Sequence, residues 1–418
     1  MKTTFYGLDL LRFGLALYLM VFHTVYLNPQ SEDLPFRDLL DLGSFATSTF
    51  FLLSGFILAH VYFGGETAEL KGGTRAFFVK RLTNLYPIHW ISLALFLAVG
   101  VAGANPINRF ALESLDGQAG GFVYLGPLAT WANVVLTVLM LHTWNPLYEV
   151  LNPPSWSLSA LLFFYLCFPW LTPRLLALRR KGMALAVVWV VYLIPPVLFA
   201  AMQWYGPAAV GFITSNPLVR LPEFAAGILL CGLYRAGQMQ WLVATRLRTG
   251  ATLLFVLLCA TFASLLFARH SFAAQYILHN GALMPAEMAL IVVCAGCTVP
   301  ERWSRLAATL GNSALSIFAI HLPIYMVFVK IEKLYGLGMS PLECARQLAA
   351  CIHASRDVTP GFAAYPLYML VCVVAAILFQ ERVVVPLRNA LRGRLLRGAP
   401  PRGARAADLG KPEQAPGR

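Results

Sequence analysis

Arg12 and His23 fall in one membrane-length apolar run, Leu8 to Tyr26 (LDLLRFGLALYLMVFHTVY). Ionisable side chains are costly inside a bilayer and usually mark a pathway or a site. At ~100° per residue, eleven residues bring His23 back over Arg12, ~16 Å further along the axis. One helix face thus offers a fixed cation near one membrane surface and an imidazole deeper in. Asp9 lies one turn before Arg12. An imidazole there can serve in general acid–base chemistry. A guanidinium can hold a phosphate. The plainer alternative is a snorkelling arginine and a histidine hydrogen-bonded within a helix bundle.

Other polar residues join these two once each run is given a direction. The run 307–328 enters from the same side as the first, which puts His321 at a depth like that of His23. NPLVRLPEF and SWSLS enter from the opposite side. They place Arg220 and Glu223, and Trp156, Ser157 and Ser159, in the same outer layer. Two imidazoles, a carboxylate and hydroxyls in one layer have the composition of a general acid–base site. Taken singly, each can equally bind helices together in lipid. On the entry side Arg12, Lys80 and Arg81 can gather into a cluster suited to a phosphate-bearing ligand. Lys80 alone is as well explained by the positive-inside rule. Ser54 and Gly55, in FFLLSGF, offer either close helix approach or a ligand passage.

Such residues need a membrane bundle to place them. Of 418 residues, 58% are hydrophobic and 12% charged, against about 25% charged in a soluble domain. The apolar runs are long and unbroken rather than alternating, so the fold class is an all-α integral membrane protein. Candidate runs fall at 8–27, 43–63, 82–102, 127–143, 156–174, 183–204, 217–234, 248–268, 281–299, 308–330 and 362–381. Counting 127–143 as a full span puts Arg174, Arg179, Arg180 and Lys181 on the outside, against the positive-inside rule. Counting it as re-entrant or interfacial restores the alternation at every later loop. The expectation is about ten transmembrane helices plus one re-entrant or interfacial segment, with both termini cytoplasmic. The first run lacks a small-residue cleavage pattern and reads as an uncleaved anchor.

The net charge of +13 would suit nucleic acid, but these cations lie between spans and serve topology. The expected partner is the lipid bilayer, with no nucleic acid. Residues 386–418 read as a basic cytoplasmic tail, disordered and drawn to anionic lipid. Cys294 and Cys297 form CAGC inside a span without further ligands, so no metal is expected. Cys344 and Cys351 share a polar loop and can bridge, unless that loop is helical and holds them too far apart.

The blocks LDLLRFGLALYLMVFH, FFLLSGFIL, FFVKRLTNLYPIHW, NPPSWSLSALLFFYLCFP, NPLVRLPEFAAGILL, LGNSALSIFAIHLPI and ERVVVPLR resemble, in order, the motifs of the membrane acyltransferase-3 (O-acyltransferase) family. The resemblance covers nearly all of the chain and makes residues 1–385 one acyltransferase-like membrane domain. It implies transfer of an acyl group, commonly acetyl, from cytoplasmic acyl-CoA to a carbohydrate hydroxyl across the bacterial inner membrane. Acyl-CoA is then a co-substrate, with no cofactor bound permanently. By position, the resemblance implies His23 as the catalytic imidazole and Arg12 and Arg81 as donor-binding residues, with Lys80 beside them. Trp156, Ser157, Glu223 and His321 match motif positions lining the site, and Asp9, Ser54, Tyr86 and Ser159 are expected with them.

Two positions depart from the family's pattern. Asn84 stands where the third block repeats its arginine, and Leu161 where a glutamate usually follows WSLS. Glu223 and Glu149 are candidates to replace that carboxylate. The resemblance leaves open the acceptor, which in the family ranges from O-antigen, peptidoglycan and exopolysaccharide to a macrolide or a nodulation signal. It also leaves open the acyl chain length and the oligomeric state. The alternative is a carrier or flippase that moves a lipid-linked or acylated sugar without chemistry, which Leu161 favours. A silent scaffold is the third reading.

Overall fold

The structure is a computed structural model that describes residues 5–28, 31, 34, 37–63, 69–102, 107–112, 114–115, 121–147, 151–269, 271–338 and 340–396. Its apolar runs are helices because backbone groups in lipid must be satisfied within their own segment. In order these are α1 Tyr6–Val25, α2 Gly43–Tyr62 and α3 Gly73–Ala102. An antiparallel hairpin follows, β1 Arg109–Leu112 and β2 Gly121–Tyr124. Then come α4 Pro127–Val138, α5 Ser155–Ala177, α6 Lys181–Ala201, α7 Pro207–Ser215, α8 Pro217–Arg235 and α9 Arg246–Ala268. The chain closes with α10 Phe272–Ile277, α11 Met284–Gly296, α12 Glu301–Gly336, α13 Pro341–Arg346, α14 Leu348–Ala354, α15 Tyr365–Phe379 and α16 Val385–Leu396.

Among the described residues, ten helical segments are long and apolar enough to cross a membrane; α7 joins α8, α10 joins α11 and α15 joins α16 to make three of them. They coincide with the ten expected full spans, so the chain is an all-α, multi-pass membrane protein. The remaining run is α4. Its 12 residues are ~18 Å long, too short for a hydrocarbon core of ~30 Å. Thr130, Asn133 and Thr137 on one face are buried, while Leu128, Trp131 and Val135 are exposed. The C-terminal turn ends against the middle of α3. There Thr137 O lies 2.7 Å from His89 Nε2, and Trp90 Nε1 donates to Val138 O at 2.9 Å. The chain then reverses through Met140, whose φ is 56°. α4 is therefore the expected short segment, its polar face against the bundle and its apolar face exposed.

α1 packs chiefly on α12, and α2 on α8. The second pair meets at glycines: a Cβ on Gly227 would stand 1.9 Å from Leu52 O, and one on Gly55 2.1 Å from Phe224 O. Of the two readings of Ser54–Gly55, close helix approach is the one seen; Ser54 Oγ donates to Phe50 O at 2.8 Å in its own helix. Gly227→Ala forces the two helices apart, so it is expected to cost ~1–3 kcal/mol. This is checked by the unfolding midpoint of the purified protein in detergent. Gly250→Ala, inside α9 where an added Cβ meets nothing within 4 Å, should not lower that midpoint and, by helix propensity, should raise it slightly.

Two expectations are corrected. The Cys344–Cys351 loop is helical, yet the two cysteines are disulfide-bonded with Cα atoms 5.4 Å apart. The helix breaks at Gln347, φ −123° and ψ 48°, where an unbroken helix would separate them by ~10 Å. Ser340 caps α13, and its hydroxyl and amide hold the Glu343 carboxyl below the ordinary carboxylate range. The expected disordered tail is helical as far as Leu396. A π turn, Gln380–Val384, carries α15 into α16, whose arginines find partners on α3. Residues 397–418, and Glu149, lie outside the described residues.

Candidate active site

His23 and His321 meet. α1 and α12 pack side by side, and the last turn of α1 brings His23 Nδ1 to 3.2 Å from His321 Nε2, the rings nearly parallel at 18°. His321 is fully buried. Its Nδ1 lies 2.8 Å from Phe318 O and 3.3 Å from Ile317 O, while Tyr368 Oη donates to His321 O at 3.2 Å. The chemistry of the partners assigns the protons. Carbonyl oxygens only accept, so Nδ1 of His321 carries hydrogen and its Nε2 accepts. His23 must then donate from Nδ1, which leaves its Nε2 with a lone pair. About one turn back along α1 and α12 from the pair lies a cavity of about 20 Å³ lined by Leu19, Thr47, Phe50, Phe51, Ser157, Leu161, Leu315 and Phe318, with neither imidazole in its wall.

Arg12 lies on the same face of α1, towards the end of the bundle where α1 begins. It pairs with Asp9 at 3.3 Å. Arg81, from the early part of α3, donates to Tyr62 Oη at 2.9 Å. Tyr165 of α5 lies within electrostatic reach of Arg12, Arg81 and Tyr62. Lys80 contributes its carbonyl to Arg392 Nη2 at 2.7 Å. Arg12 and Arg81 are thus within electrostatic reach of each other, while Lys80 enters through its backbone carbonyl.

Glu223 does not join the imidazoles. Its side chain points into another cluster. Glu223 Oε1 pairs with Arg220 Nη2 at 3.1 Å and accepts from Tyr192 Oη at 2.7 Å, with both charges fully buried. Arg220 also donates to Ser48 Oγ at 3.0 Å, to Asn280 Oδ1 at 3.1 Å and to His279 O at 3.1 Å. Phe51 stands between this cluster and the cavity: it lines the cavity, and its ring lies 5.6 Å from the Arg220 guanidinium carbon. Trp156 is on the Arg220 side, at 5.8 Å. Ser157 lines the cavity and donates to Pro154 O at 3.0 Å. Ser159 donates to Met140 O at 2.6 Å, and Tyr86 Oη to Leu139 O at 3.4 Å; both pin the return of α4 rather than touch the imidazoles.

Sequence reasoning missed Tyr62, Tyr165 and Phe318, which carry no signal beyond aromaticity. It also missed Glu287, buried on α11 within electrostatic reach of Glu223 and Arg220. The partner of Arg220 was legible, since Glu223 follows it at i+3.

A family model for an acyltransferase domain matches residues 5–381. The chain belongs to the acyltransferase-3 family. It is similar to acyltransferase MdmB of Streptomyces mycarofaciens, 32% identical over 210 residues, which is 47% of this chain and 48% of that relative. The match thus spans about half the length of the curated relative. No solved structure matches the chain. Both departures from the acyltransferase-3 pattern now have surroundings. Leu161 is part of the wall of the cavity one turn before the imidazoles. Asn84 Oδ1 accepts a hydrogen bond from Arg388 Nη1 at 3.2 Å.

Proposed function

We propose that this protein transfers a short acyl group, acetyl first of all, from acyl-CoA to a carbohydrate hydroxyl across the bacterial inner membrane. The observation that carries this reading is the imidazole pair, whose hydrogen bonds leave a lone pair on His23 Nε2. The cation cluster is then the cytoplasmic rim, with both chain termini on that side, and it holds the nucleotide phosphates of the donor. The arginine-rich ends of the helices there support this orientation. So does the Cys344–Cys351 disulfide at the other end, where an oxidising compartment is expected. The thioester arm runs along the Arg12–His23 face of α1. A groove of about 500 Å³, lined in part by Leu27, Tyr325, Lys330 and Asp357, opens one helical turn beyond the imidazoles and takes the acceptor.

Two routes use the same atoms. In the direct route His23 Nε2 takes the acceptor's hydroxyl proton while that oxygen attacks the thioester carbon. The carbon–sulfur bond breaks and the proton passes to the departing thiolate. In the two-step route Nε2 attacks the thioester, the carbon–sulfur bond breaks, and the thiolate takes the imidazole's Nδ1 proton to leave as CoA thiol. The acceptor hydroxyl then attacks the acyl-imidazole, the carbon–nitrogen bond breaks, and the hydroxyl proton returns to the imidazole. An acyl-imidazole trapped in the absence of acceptor selects the second.

The test is labelled acetyl-CoA supplied to the outside of sealed inverted vesicles. Label bound covalently to lumenal carbohydrate is the expected result. Sugar transport without a labelled product would instead make the protein a carrier. Acyl size has its own test. A cavity of about 20 Å³ has room for little more than a methyl group, and the pantetheine arm enters only if neighbouring side chains part. Leu161→Ala enlarges it, so the butyryl-to-acetyl preference in direct competition should rise roughly tenfold or more.

A further inference from the structure

The cation cluster does not end with Arg12, Lys80 and Arg81. α16 lies against α3 and adds two guanidiniums to the same rim. Arg388 Nη1 donates to Asn84 Oδ1 at 3.2 Å. Arg392 Nε donates to Thr83 Oγ1 at 3.1 Å and its Nη2 to Lys80 O at 2.7 Å. Arg392 is also within electrostatic reach of Arg81 and Arg388. Four arginines from three helices are thus held together. Among the described residues, only Arg12 of the four has a carboxylate within ion-pair distance.

Crowding like charges this way is unfavourable unless an anion joins them. The residues that hold the α16 arginines are neutral: an amide, a hydroxyl and a carbonyl. They fix the guanidiniums without spending their charge. The Nε atoms of both Arg81 and Arg388 are buried without a hydrogen-bond partner. Such donors are normally satisfied, by an ordered water or a ligand where the protein offers nothing. Guanidiniums suit phosphate because their planar fork can bind two oxygens at once.

We infer that Arg388 and Arg392 complete a phosphate-binding site for the nucleotide end of the donor, with Asn84 as the residue that positions Arg388. This rests on the acyl-CoA reading above. It gives Asn84 a purpose: the guanidinium missing from α3 is supplied by α16 and held by the amide in its place. The C-terminal helix is therefore part of the donor site and not merely a positively charged tail.

The experiment uses the full chain in lipid nanodiscs and two donors, acetyl-CoA and S-acetyl-pantetheine, which lacks every phosphate. Arg388→Gln and Arg392→Gln should each raise the KM for acetyl-CoA about tenfold, with kcat changed far less. The KM for S-acetyl-pantetheine should not move. The exchange Asn84→Arg with Arg388→Asn keeps one guanidinium at the rim and should recover most of the acetyl-CoA KM lost in Arg388→Gln. That exchange also separates a binding defect from misfolding. Equal KM changes for both donors, or none for either, would overturn the inference and leave the arginines as helix-packing residues. A wild-type chain that neither uses nor binds acetyl-CoA would instead overturn the donor reading itself.

Discussion

His23→Ala should abolish acyl transfer, by roughly 10³-fold, the middle of the ~10²–10⁴ range for a positioned acid–base group. The magnitude follows from where the protons are. His321 is locked by two backbone carbonyls, so its Nε2 can only accept. That fixes His23 as the donor from Nδ1 and aims the Nε2 lone pair away from His321. His321→Ala removes the acceptor and lets the His23 ring turn and exchange tautomers. The expected loss is smaller, roughly 10²-fold. His321→Gln keeps a side-chain oxygen able to accept from His23 and should recover part of it. Rates at saturating donor, measured on protein of unchanged unfolding midpoint, check all three. Full transfer by His23→Ala would end the imidazole mechanism in both of its forms.

Glu223→Ala should destabilise the fold by about 3–5 kcal/mol, because it removes the carboxylate in ion-pair contact with Arg220 and leaves only the more distant Glu287 to offset that buried charge. The pair is fully buried, so solvent screening does not reduce the effect. The fold depends on this cluster because Arg220 ties α8 to α2 through Ser48 and to a second π turn, Leu278–Ala282 between α10 and α11, through His279 and Asn280. Removing both charges, as in Arg220→Met with Glu223→Leu, should recover much of the loss. Unfolding midpoints in detergent report it. Molecules of Glu223→Ala that remain folded should still transfer acyl groups. A stable but inactive Glu223→Ala would return the carboxylate to the chemistry.

The two clusters show what hydropathy and charge can and cannot convey. Apolar length located all ten full spans, because lipid demands a continuous apolar helix. Loop charge exposed α4 as the odd segment, since counting it as a span left four cations on the wrong side. Depth along each helix was readable, so His23 and His321 were correctly matched. The direction in which a side chain points across the bundle was not. Glu223 faces α2 and α6, behind Phe51, and meets α2 near Ser48, more than a turn from the Gly43–Phe22 contact that marks the level of His23. Arg388 and Arg392 read as topology signals because their partners on α3 lie some three hundred residues earlier in the chain. Only the folded α15–α16 turn brings them back.

α12 has 36 residues and so extends ~54 Å, against a hydrocarbon slab of ~30 Å. It must overhang the bilayer. Lys330 and Lys333 lie nine and twelve residues past His321, ~14 and ~18 Å further along the axis. On the reading proposed above, an acceptor sugar held at that level keeps most of its hydration shell while a single hydroxyl reaches down to the reacting centre. The energetic burden of mixing a polar acceptor with a membrane-embedded catalyst is confined to one functional group.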